Sequence, residues 1–100
     1  MNKKSEILNQ LKQLKPIYQK EGLTLLGLFG SYAKNTQTKY SDIDIAYKLD
    51  YEKFSKKYKG GFAKLLRIDD IKKELQDILK TKIDFVPDSN KTIMKDLIYV

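Results

Sequence analysis

Leu23 to Phe29 reads Leu-Thr-Leu-Leu-Gly-Leu-Phe, an almost unbroken apolar run stopped by Gly30-Ser31. It falls far short of the ~20 residues that cross a bilayer. A run of this length is covered on both sides when it is a buried β-strand. Downstream, Asp42 to Leu49 alternates: Ile43, Ile45 and Tyr47 point one way, while Asp42, Asp44 and Ala46 point the other. Period-two alternation is the mark of a strand, here with two carboxylates on one face. A chain with both segments has to build a sheet and cover it.

The cover is written in the helical periodicities. Over residues 3–15, Ile7, Leu8, Leu11 and Leu14 recur at three- and four-residue spacing, predicting an amphipathic helix. Pro16 is expected to end or kink it, with Ile17 and Tyr18 able to carry the stripe further, and Gly22 stops the segment. Residues 31–35 suit a helical turn and 36–41 a polar loop. A second amphipathic helix is expected over 67–80, with Ile68, Ile71, Leu75, Ile78 and Leu79 inward. Lys82 to Val86 reads as a third strand ended by Pro87. Asp88 or Ser89 can cap a last short helix carrying Ile93, Met94, Leu97 and Ile98. Residues 50–64 are rich in lysine and aromatics and fit no single pattern, except that Gly60-Gly61 marks a turn. The expected fold class is α/β (α+β), a small mixed sheet of about three strands covered by helices, in one domain spanning 1–100.

Composition narrows the chemistry. There is no cysteine and no histidine, which excludes disulfides, thiolate or imidazole metal sites and any His-based triad. Carboxylates, hydroxyls, lysines and backbone groups remain, and carboxylates favour hard cations such as Mg²⁺. The formal net charge is +7, which suits an anionic partner. Arg67 is the single arginine and the lysines are spread along the whole chain. Base reading in nucleic acid relies on arginine forks, so nucleic acid is not expected as the main partner. Lys3 and Lys4 precede no apolar segment of signal type, and the expectation is a soluble cytoplasmic protein with no membrane partner.

The functional residues gather at one sheet edge. Gly30-Ser31 ends the first strand, and Asp42 and Asp44 open the second after an interval of ten residues. If the loop folds back, the two strands are antiparallel and the four residues share an edge. Asp42 and Asp44 are ~6.5–7 Å apart along the strand on one face. If the third strand lies beside the second, Asp84 becomes a third carboxylate there. Taken singly, Gly30-Ser31 is a strand-ending turn, the two aspartates are the solvent face of an edge strand, and Asp84 is an outward strand residue. Together they suit divalent cations, which neutralise clustered carboxylates and clamp an in-line displacement at phosphorus. Gly30 would let a phosphate approach the backbone, and Ser31 would offer its hydroxyl and turn amides. Lys34 and Lys39 read as solvated charges, and Tyr40, Tyr47, Tyr51 and Tyr58 as packing residues before base-stacking ones.

The stretch GSYAKNTQTKYSDID resembles the G-S-x10-D-x-D signature of the DNA polymerase β-like nucleotidyltransferases. With the short length, the helix after the motif and the late KIDFVP segment, the chain looks like a minimal nucleotidyltransferase (MNT) in particular. The resemblance implies that Asp42 and Asp44 hold two Mg²⁺ ions, that Asp84 completes the site on the nucleophile side, and that Gly30 and Ser31 bind the triphosphate of ATP. Two positions depart from the usual pattern. Asn35 stands where many relatives carry glycine, and asparagine still tolerates the left-handed turn. Lys34 stands where many carry arginine, and keeps the charge without the bidentate fork.

The resemblance further implies transfer of AMP from ATP to a hydroxyl, with pyrophosphate released. Related small proteins act as antitoxins beside HEPN-domain ribonuclease toxins, some by nucleotidylating a tyrosine of the toxin. The alternatives are an MNT-fold antitoxin that neutralises by binding alone, and transfer onto RNA or a small molecule such as an aminoglycoside. Larger relatives of the last kind hold their acceptor with extra domains.

Overall fold

The structure is a computed structural model describing residues 4–100, apart from the side chains of Ile93 and Met94. The elements in order are α1 (Lys4–Gln19), β1 (Leu23–Phe29), α2 (Gly30–Lys34), β2 (Ile43–Leu49), α3 (Tyr51–Lys57), α4 (Gly61–Leu79), β3 (Ile83–Pro87), a 3₁₀ turn (Ile93–Asp96) and β4 (Ile98–Tyr99). The strands form one mixed sheet in the order β3-β2-β1-β4. β1 is antiparallel to β2 and β4, and β2 is parallel to β3. A parallel neighbour needs a long crossover, which α3 and α4 supply.

The alternation of β2 decides what faces the core. Ile43, Ile45 and Tyr47 are buried among Ile7 and Leu11 of α1 and Ile71 and Leu75 of α4. Ile83 joins that core, and Phe85 stacks on Tyr47 with ring centroids 4.3 Å apart. The even-numbered residues Asp44 and Asp84 are therefore on the opposite face of the sheet, turned away from α1 and α4.

Several sequence expectations need correction. α1 does not stop at Pro16. It runs to Gln19 with the proline inside it. The missing N–H costs one helix bond, while the last turn is held by burial of Tyr18 and by its phenol donating to Glu74 at 2.9 Å. Residue 3, included in the expected helix, lies outside the described residues. The ambiguous stretch is helical: Asp50 caps α3 by accepting from the Lys53 N–H at 3.1 Å, and α4 starts at Gly61 rather than at 67. Ile78, expected inward, is exposed at the margin of the Ile71–Leu75–Leu79 stripe.

The sheet also has a fourth strand. Ile98, expected on a last helix, belongs to β4, which pairs with Gly27 and Leu28. A Cβ at position 27 would lie 1.8 Å from the Ile98 carbonyl oxygen, so glycine lets β4 approach. The expected Asp88 or Ser89 cap is replaced by a turn, and of the remaining residues of that helix Ile93 and Met94 have side chains outside the described set.

An ionic cluster ties the turn after α1 to α4. Arg67 donates to Glu21 at 2.8 and 2.9 Å and to Glu74 at 2.9 Å. The Tyr58 hydroxyl donates to the same Glu21 carboxylate. The arginine holds the Glu21 carboxyl below its ordinary value near 4.5, against an opposing effect of burial. A carboxyl with a lowered folded pKa stabilises the protein above the unfolded value, and that contribution is lost as pH falls through the folded one. Arg67→Met is expected to cost about 1–3 kcal/mol at pH 7 by leaving two carboxylates without their cation. Urea titrations should show the deficit narrowing below about pH 4.5 as Glu21 protonates in both proteins; a pH-independent deficit would contradict the assignment.

Candidate active site

The ladder registers bring the sequence motif together. Phe29 pairs with Asp44 across β1 and β2, and Asp44 pairs with Asp84 across β2 and β3. Neighbouring strands lie about 4.8 Å apart, so Asp44 sits between the start of α2 and Asp84. Asp42 stands just before β2, exposed, on the same end of the sheet. The structure thus places Gly30, Ser31, Asp42, Asp44 and Asp84 along one edge.

Gly30 is held at φ +70°, and a Cβ there would lie 2.1 Å from Asp44 Oδ2. The carboxylate therefore occupies the volume any side chain would need. The Ser31 backbone N–H, at the start of α2, lowers the Asp44 pKa against the burial that raises it. After α2 the chain turns through Asn35 at φ +59°, as expected of an asparagine in place of glycine, with the Thr36 N–H donating to the Ser31 carbonyl at 2.9 Å.

Charge accumulates at Asp44. Burial pushes its pKa up, the nearby Asp84 and then Asp42 carboxylates push it further, and the Ser31 N–H offsets part of the rise. Like charges concentrated on a half-buried carboxylate are relieved by protonation or by a cation. An all-oxygen set of carboxylates fits Mg²⁺ by chemistry. Among the described residues, no three acidic side chains are gathered closely enough to hold one ion as they lie. Asp42 and Asp84 are exposed, so rotation of either side chain meets little packing.

Other candidates fall out differently. Lys34 pairs with Asp96 at 3.5 Å at the surface. Lys39 lies over the Tyr40 ring, 5.0 Å from its centroid. Tyr47 and Tyr58 pack as expected, but Tyr40 and Tyr51 are 82% and 66% exposed. Tyr40 projects from a tight Thr38–Ser41 turn, in which the Ser41 N–H donates to the Thr38 carbonyl at 3.1 Å and the Ser41 hydroxyl accepts from the Thr38 N–H at 2.9 Å.

Sequence reasoning missed the residues before β3. The Ile43 N–H donates to the Lys82 carbonyl at 2.9 Å, joining the loop before β2 to the connection before β3. Between them opens a cleft of about 370 Å³ lined by Lys39, Tyr40, Ser41, Asp42, Lys80, Thr81 and Lys82. Parallel strands begin at the same sheet end, so pairing β2 with β3 was the signal that could have found it. A larger depression of about 490 Å³, lined by Asp50, Glu52, Lys53 and Lys56, lies beyond the other end of β2 and contains none of the motif residues.

The nucleotidyltransferase domain family matches residues 4–99. The chain belongs to that family. Two proteins of Methanocaldococcus jannaschii named "Putative protein adenylyltransferase" are similar along nearly their whole length. One is 35% identical, covering 95% of this chain and 92% of its own; another is 36% identical, covering 96% of each. A solved structure described as that of a "putative minimal nucleotidyltransferase" superposes with a TM-score of 0.70 at 14% identity, covering 99% of this chain and 97% of the other, which is a likeness of fold. The nucleotidyltransferase is thus an α+β protein with a four-stranded mixed sheet, and none of its described helices is long and apolar enough to cross a membrane.

Gly30→Ala is expected to destabilise this nucleotidyltransferase by about 1–3 kcal/mol through backbone strain and the collision with Asp44. In an Asp44→Ala background only the strain should persist. A double-mutant cycle from urea unfolding checks this, and strictly additive losses would contradict direct contact between the two positions.

Proposed function

We propose that the protein is an adenylyltransferase that moves AMP from ATP to a hydroxyl of a partner protein, with Asp42, Asp44 and Asp84 as metal-binding and catalytic residues. The observation that carries this reading is the placement of Asp44 between Gly30-Ser31 on one strand and Asp84 on the next. The naming of the Methanocaldococcus relatives supports a protein as acceptor.

The chain's own residues would divide the work as follows. Gly30, without a side chain, and the Ser31 hydroxyl would orient the β- and γ-phosphates. Asp42 and Asp44 would hold two Mg²⁺, with Asp84 completing the set on the acceptor side. When bound, the cations supply charge neutralisation at the phosphates and acidify an adjacent hydroxyl. Asp84 would take the hydroxyl proton as the acceptor oxygen bonds to the α-phosphorus and the bond to the β-phosphate bridge breaks. The products are an AMP ester and pyrophosphate. A tyrosine is a fitting acceptor, since its pKa near 10 is low for a hydroxyl.

We infer that the partner is a HEPN-domain toxin and that the protein is its antitoxin. Neutralisation by binding alone is the second reading. The desolvated, charge-repelled Asp44 favours catalysis, because an occluding surface has no use for it.

Asp44→Asn is expected to abolish transfer while keeping the fold. Without metal it should melt at the same temperature as wild type or higher, since repulsion is relieved; Mg²⁺ should raise the melting temperature of wild type more than that of the variant. Unfolding of Asp44→Asn at room temperature would make the residue structural and contradict the assignment. A second experiment separates catalysis from occlusion. Wild type added at substoichiometric dose should protect a co-expressed HEPN partner from its own toxicity and leave an AMP mass gain on it. Equal protection by Asp44→Asn at that dose would rule out catalysis.

A further inference from the structure

The cleft between the loop before β2 and the connection before β3 has no part in the triphosphate contacts proposed above. Its position gives it one. Across the sheet, the order β1, β2, β3 sets Ser31, Asp44 and Asp84 in sequence along one edge. In an in-line displacement the leaving and attacking oxygens lie on opposite sides of the phosphorus. With pyrophosphate held at Gly30-Ser31, the attacking hydroxyl enters from the β3 side. That is where the cleft lies, with Asp42 in its wall.

The lining states what would bind there. Three lysines, Lys39, Lys80 and Lys82, line it with a single acidic residue, Asp42. All three lysines are exposed, so their charges are available to a ligand. Tyr40 beside them is 82% exposed, with the Lys39 ammonium over one face of its ring. The walls are fixed: the Thr38–Ser41 turn is closed by its own hydrogen bonds, and the Ile43 N–H to Lys82 carbonyl bond ties one wall to the other. Lys80, in the left-handed conformation at φ +56°, ends α4 and turns the chain into the wall.

We propose that this cleft is the acceptor subsite and that it takes an acidic polypeptide segment, in which aspartates or glutamates flank the hydroxyl that receives AMP. The inference rests on the nucleotidyl-transfer reading for its orientation. Carboxylates of the segment pair with Lys39, Lys80 and Lys82, an aromatic acceptor ring packs on Tyr40, and the hydroxyl is delivered past Asp42 toward Asp84. The transfer balances as hydroxyl plus ATP giving AMP ester plus pyrophosphate, with the proton passing to Asp84 and then to water. The alternative polyanion, single-stranded RNA, fits the charge. It fits the cleft less well, because arginine, the usual guanine-reading group, is absent from the lining.

The test uses three fluorescein-labelled probes: a tyrosine peptide flanked by glutamates, the same peptide flanked by glutamines, and a single-stranded RNA of equal length. Anisotropy reads binding without chemistry; mass spectrometry with ATP and Mg²⁺ reads transfer. The glutamate peptide should bind about tenfold more tightly than the glutamine peptide, an advantage that fades with added salt. The doubly substituted Lys39→Glu/Lys82→Glu protein should lose or invert that preference, with the KM for ATP changed far less than the KM for peptide. Equal binding of the two peptides by wild type, tighter binding of the RNA, or a variant effect confined to ATP would overturn the assignment. The salt titration of wild type decides even if the variant fails to fold. Charge-dependent peptide binding with no AMP added to any hydroxyl would refute nucleotidyl transfer while supporting the cleft's ligand class, so the two failures are distinguishable.

Discussion

The site depends on a contact in which one partner is an absence. Asp44 can lie at the end of β1 only because Gly30 presents no Cβ, and Gly30 can hold φ +70° only because it is glycine. That single accommodation sets the rest. It brings a carboxylate into partial burial beside the start of α2, where the Ser31 N–H offsets part of the cost of its charge. The antiparallel register of β1 and β2 then fixes which aspartate is chosen: Phe29 faces Asp44, so the next residue along meets its side chain.

The same sheet divides the molecule electrostatically. On the covered face the odd residues of β2 and β3 build the core with α1 and α4. On the other face the even residues concentrate negative charge at Asp44. The protein carries an overall excess of lysine, yet no lysine neutralises that aspartate by a direct ion pair among the described contacts. The one arginine is spent instead on Glu21 and Glu74, where a rigid fork can tie the turn after α1 to α4 in a way a lysine could not. Charge is thus satisfied where it holds the structure together and left unsatisfied where the chemistry of phosphate would use it.

Much of this was legible before the coordinates. The apolar run at Leu23–Phe29 set the first strand to the residue, the alternation from Asp42 set the second to within one residue of its start, and the interval between Gly30-Ser31 and Asp42 set their direction. Asp84 was placed by pattern, because Ile83 and Phe85 needed the covered face. Other features were hidden for physical reasons. β4 is two residues long and exists through a gap left at Gly27, a long-range fit that no local period encodes. Pro16 sits inside a helix because Tyr18, a phenol with a distant partner, holds the following turn. The helix start at Gly61 was obscured by a glycine pair and by Phe62, Leu65 and Leu66 on the exposed side, which broke the amphipathic pattern. The lysines of the cleft carry no motif; they become neighbours only when two parallel strands start together.

A feature at the other end of α4 bears on how such a protein can change. α4 is 19 residues long, about 28 Å at the usual rise, and it leads from Gly60 to the residues before β3. At Gly60 and Gly61 an added Cβ would meet nothing within 4 Å. The chain there is open surface, at the far end of α4 from the residues that lead into β3. Segments inserted at that point would lengthen the molecule without touching its working edge. The fold therefore offers a natural port for accretion: a place where a reporter, a tether or a whole extra module could be spliced in, while Gly30 and Asp44 keep the geometry they alone permit.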